Sequence, residues 1–143
     1  MVHPKGFLET IYLGDRACKT LIIDGFGDRV ILVVDDISRI RNASGNWEFY
    51  TEEDITDGRI VFTDVDSLEF DPPGLIPNDL INSLNVESVI LEGEDLNTAG
   101  LYLFKANITS VGPEGYRGQV LILIAARGVH LEDPQRPGIE ITE

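Results

Sequence analysis

Carboxylates are the only reactive side chains present in quantity: 25 Asp and Glu stand against 11 Lys and Arg, two His and one Cys. The run Asp64-Val-Asp66-Ser-Leu-Glu69-Phe-Asp71 spaces its oxygens as a calcium loop does. Leu68 and Glu69, however, stand where an EF-hand needs Asp or Asn and then Gly. Calcium sites on the loops of a β-sandwich follow looser patterns, and such a site would draw on Asp24, Asp28, Asp64 and Asp66. Paired carboxylates also serve glycoside hydrolysis, which needs a cleft between them. A chain of 143 residues with one Trp offers little sugar-binding surface.

Neither His3 nor His130 sits in a metal-ligand spacing, and a lone cysteine cannot complete a structural zinc site. His130 is read as lying beyond the last strand. A Cys18–His130 nucleophilic pair is the functional reading of that thiol. Cys18 opens an apolar stretch, though, where a buried, inert thiol is expected. No nucleophile elbow or phosphate-binding glycine loop is present, and Gly25-Phe-Gly27 lacks the rest of a dinucleotide fingerprint. No cofactor and no catalytic residue are expected.

Arg39 and Arg41 fall on the same face of one strand, with Trp47 and Tyr50 just across a turn. Together they are candidates for gripping a partner's carboxylate or phosphate. The competing reading pairs both arginines with nearby acids such as Glu48 or Glu52.

The net charge of −14 is unevenly spread. Residues 1–47 hold six acids and six bases; residues 48–95 hold fourteen acids and one base, Arg59; residues 96–143 hold five acids and four bases. Nearly all the excess lies in the middle third. A field of that sign disfavours nucleic acid and anionic membrane, and favours a basic protein partner. A single cysteine permits no internal disulfide and fits a reducing, cytoplasmic setting.

The elements that must position these residues read as strands, within one domain over residues 1–143. A short helix is expected within residues 4–13, and strands at 18–23, 29–41, 47–50, 59–70, 86–91, 101–111 and 119–127. Asp24-Gly-Phe-Gly-Asp28 is expected to turn a hairpin, and Gly112-Pro-Glu-Gly115 another. Asp35-Asp36 interrupts an apolar run and suggests a bulge or a strand leaving the covered part of the sheet. In 101–111, Tyr102, Phe104, Ala106 and Ile108 share one face. The tail from residue 132 is expected to be extended or frayed.

Residues 70–84 carry three prolines and a glycine among Leu75, Ile76, Leu80, Ile81 and Leu84. That composition excludes a central strand and predicts a connector, with Asn78 or Asp79 capping a short helix that ends near Leu84. Exposure of Leu75 and Ile76 would instead make them the centre of a partner surface. Short strands joined by Gly/Asx turns, with one or two short helices, predict an all-β fold: an antiparallel β-sandwich or partly open β-barrel of about seven strands.

Tyr12-Leu-Gly-Asp-Arg-Ala-Cys18, Ile37-Ser-Arg-Ile-Arg41, Trp47-Glu-Phe-Tyr50 and Asp71-Pro-Pro-Gly-Leu-Ile-Pro-Asn-Asp79 resemble a family of small uncharacterised bacterial proteins of unknown function, over roughly residues 7–91. The resemblance implies no catalytic residues. Small acidic proteins of this kind are similar to immunity proteins, which neutralise toxins. The expected function is therefore a non-enzymatic binding module whose acidic surface engages a basic protein, for instance as an immunity-type inhibitor. A calcium-dependent β-sandwich module and a small carboxylate hydrolase are the alternatives, and self-association is left open.

Overall fold

The computed structural model describes residues 3–39, 54–88 and 100–142. Its frame is a pair of long strands, β6 (Tyr102–Gly112) and β7 (Gly115–Glu132). They are joined through Pro113 and Glu114, with Gly115 at φ 109°. A side chain disfavours that backbone region, so glycine suits the turn. Strict alternation in β6 buries Phe104, Ala106 and Ile108, while Leu103, Lys105 and Asn107 are only half-buried. β7 does the same with Val120, Ile122 and Ile124.

The other side of β7 carries β4 (Ile55–Asp71), whose first half pairs with β3 (Arg29–Arg39). Both β1 (Ile11–Tyr12) and β2 (Cys18–Asp24) pair with β3, at successive stretches of its free edge. β5 (Ile81–Ser88) pairs with β6 at the far side. All pairs are antiparallel, in the order β1-β3-β4-β7-β6-β5 with β2 also on β3. This is one strongly curled sheet, an open half-barrel, so of the two expected architectures the open barrel forms.

The curl has a visible origin. On β4 the core contacts pass from Phe62 to Val65, and on the facing part of β7 from Ala126 to Val129. Each strand thus skips two residues where a regular pleat would skip one. Asp64 sits there at φ 50°, and a further register shift falls between Val65 and Ser67. Gly128 lies opposite Thr63, where an added Cβ would come within 2.5 Å of the Thr63 hydroxyl. The two ends of the curled sheet touch at one place. Cys18 N–H donates to the Asp79 carbonyl at 2.9 Å, and Ile81 N–H to that of Arg16 at 2.8 Å.

The helix α1 (Pro4–Leu8) packs against β5 on the open side. Pro4 occupies the first turn, where its missing N–H costs nothing, and the His3 ring accepts the Lys5 N–H at 3.2 Å. Phe7 is buried in the main core. The helix stops well short of residue 13, because Ile11 and Tyr12 take their hydrogen bonds from Arg39 and Ser38 of β3 instead.

Three further expectations are corrected. Residues 78–84 form no helix: Asn78 and Asp79 N–H groups donate to the Thr109 carbonyl, and β5 begins at Ile81. Pairing with β6 outweighs the capping signal. The bulge expected at Asp35-Asp36 lies on the partner strand, between Cys18 and Thr20, while β3 stays in register with β4. Finally, the tail turns back after Glu132 so that Leu131 and Ile141 exchange both backbone hydrogen bonds at 2.9 Å.

Candidate functional site

β4 outruns its neighbour. Pairing with β3 ends at Val30–Phe62, and the last backbone tie on that side is Val65 N–H donating to the Asp28 carbonyl at 2.9 Å. From residue 66 to residue 71, β4 is held only by β7 among the described residues. Leu68 and Phe70 turn inward and pack against the core, while Asp64, Asp66, Ser67, Glu69 and Asp71 are exposed. None of those four carboxylates is paired with a base among the described residues. By contrast, Asp57 is paired with Lys19, Asp24 with Arg29 and Glu87 with Lys105. The result is a short sheet edge with unrelieved negative charge on one face and an apolar lip on the other.

The hairpin that touches this edge at Val65 ends in Phe26, which is fully exposed, and carries Ile23 at 60 % exposure. Beyond the edge the chain continues through a cis Asp71–Pro72 peptide into the connector. There the two apolar candidates part company: Leu75 packs against the core, and Ile76 is 62 % exposed.

The candidate calcium ligands are not gathered into one site among the described residues. Asp24 is spent on its own hairpin, accepting the Gly27 N–H at 2.9 Å and pairing with Arg29 at 3.4 Å. Among the described residues no three His, Cys, Asp or Glu are placed to hold one metal ion. Nor do the acids of residues 54–88 line any of the three cavities described, as a hydrolytic site would require.

Arg39 is not a surface grip. It is 2 % exposed, donates from Nη2 to the Thr10 hydroxyl at 3.0 Å and lies 5.7 Å from the Phe7 ring centroid. Beside it, Arg16 donates to the Ser38 hydroxyl at 2.8 Å and pairs with Asp36 at 3.5 Å. Burial, and then the nearby Asp54 charge, hold the Asp36 carboxyl above its ordinary value, with Arg16 pulling the other way. Arg41, Trp47 and Tyr50 lie outside the described residues, as do the strand expected at 47–50 and the acids at 48–53 and 92–95.

Cys18 and His130 serve different places. Cys18 is fully buried, its thiol pushed up to about 11 by burial and donating to the Thr20 carbonyl at 3.6 Å. His130 lies inside β7, not beyond it, and is 5 % exposed with Nε2 2.7 Å from Glu132 Oε2. It lines a half-open cavity of about 760 Å³ with His3, Tyr102, Arg127 and Glu140. Sequence reading missed this cavity, although the Val129–Leu131 alternation that extends β7 was visible. That volume is in the range of small-ligand sites.

Among the described residues, seven antiparallel strands in a curled open half-barrel, with one short helix and an acidic free edge, define a small all-β domain. The chain belongs to the family described as a family of unknown function (DUF6258), which matches residues 1–143. No curated protein and no solved structure matches it. Among the described residues no helix is long and apolar enough to cross a membrane.

Proposed function

We propose that the protein is a binding module whose acidic surface engages a basic protein partner. The observation that carries this reading is the set Asp64, Asp66, Glu69 and Asp71: four exposed carboxylates on one strand, unpaired with any base among the described residues. Like charges held side by side raise the local negative potential, and a cationic surface relieves it on contact. Phe26 and Ile23, on the hairpin that touches the same strand, offer apolar anchoring of the kind that carries binding energy at interfaces. Covering the cationic face of a basic protein, as an immunity-type inhibitor does, is the activity this surface suits.

The test uses an oligolysine peptide titrated into the wild-type chain and into a variant with Asp64→Asn, Asp66→Asn, Glu69→Gln and Asp71→Asn. Binding to the wild type should weaken at least tenfold between about 0.05 M and about 0.5 M salt, as screening shortens from more than 10 Å to a few ångströms. The variant should bind at least tenfold more weakly at low salt. Equal binding by the variant, or affinity indifferent to salt, overturns the reading.

A further inference from the structure

We infer that residues 66–71 of β4 accept an extended basic segment of the partner as an added β-strand. The inference rests on the acidic-surface reading above and specifies how that surface is used. A sheet edge presents a row of backbone N–H and C=O groups, and adding a strand is the most direct way to pair them. Here the row is well formed: Ser67 to Asp71 run in unbroken register against Ala125 to Leu121 of β7. Six residues of strand extend for about 20 Å, the length of an ordinary strand.

The side chains define the occupant. Glu69 and Asp71 project to one face while Leu68 and Phe70 project to the other, packing against the core. A strand laid alongside has the same two-residue period, so one set of its side chains meets the carboxylates and the alternate set meets the apolar lip. The matching segment therefore alternates Lys or Arg with Val, Ile or another apolar residue. A second copy of the same edge is disfavoured, because it would bring Asp66, Glu69 and Asp71 against their own counterparts. Among the described residues other strands are less available: α1 packs against β5, and β2 meets Asp79 at its start.

Two synthetic peptides of equal charge test this. One has about eight residues alternating Lys and Val, and the other has the same sequence with alternate backbone amides N-methylated, which removes pairing along one edge. Affinities are read by calorimetry, and amide hydrogen exchange is followed over residues 66–71. The inference expects the unmodified peptide to bind at least tenfold more tightly and to slow exchange in 66–71 at least tenfold. Equal binding of both peptides, with exchange in 66–71 unchanged, overturns strand addition and leaves the charge-based reading intact. Binding by neither peptide overturns both.

Discussion

Phe7 offers the most direct test of how a half-barrel with an open side is held together. Its ring is 1 % exposed in the main core, on a helix of only five residues that packs against β5. A helix that short has no stability of its own in water, so its position depends on what it buries. Replacing Phe7 with Ala removes a buried ring and leaves a cavity, a change that costs about 3–5 kcal/mol in well-packed cores. The loss includes the contact with the Arg39 guanidinium, worth roughly 1 kcal/mol in partly buried settings. Against a typical total of about 5–15 kcal/mol this is a large fraction. With a urea slope of about 2 kcal/mol/M, the unfolding midpoint of Phe7→Ala should fall by about 2 M. Phe26→Ala is the control, since Phe26 is fully exposed and its removal should change stability by less than about 0.5 kcal/mol. A loss below about 1 kcal/mol for Phe7→Ala would refute the view that α1 closes the core.

Asp36 has a folded pKa above its ordinary 3.8, so the unfolded chain releases that proton first and ionisation costs stability as pH rises through this window. Asp36→Asn should therefore melt higher than wild type at neutral pH, with the gain shrinking as pH falls towards 3.8; a lower melting point at neutral pH would show that the Arg16 pairing dominates. Cys18, buried and with its thiol pushed up to about 11, should resist a disulfide exchange reagent at mildly alkaline pH until denaturant is added. Rapid stoichiometric labelling of the native chain would contradict its placement. Ile141→Pro removes the N–H that donates to the Leu131 carbonyl and should lower stability by about 1–3 kcal/mol in a thermal melt, whereas a frayed tail would show no change.

Much of this architecture was legible because the sheet has one covered face. Where a strand is half-buried, period-two alternation marks it, and β6 is read correctly from Tyr102, Phe104, Ala106 and Ile108 alone. The start of β5 was not legible. Asn78 and Asp79 are good helix caps in isolation, and it is the Thr109 carbonyl across the connector that takes their N–H groups just before β5 begins. Residues 4–13 fail for the same reason: the stripe at Phe7, Leu8, Ile11 and Tyr12 looks helical, but its second half finds a partner in β3. His130 was misplaced because Gly128 interrupts the alternation where β7 bends. The surplus of acid in the middle third was plain from the sequence. The free edge was not, since among the described residues it arises where β3 stops pairing at Phe62 while β4 continues to Asp71.

The central claim is that this acidic edge is the binding surface, and chemical-shift mapping tests it most directly. A basic peptide alternating Lys and Val, titrated into isotope-labelled protein at low salt, should produce its largest amide shifts in residues 65–71, with smaller ones in the hairpin Asp24-Gly-Phe-Gly-Asp28 that touches Val65. Shifts concentrated around His3, Tyr102, Arg127 and His130 would place binding in the cavity instead and contradict the account.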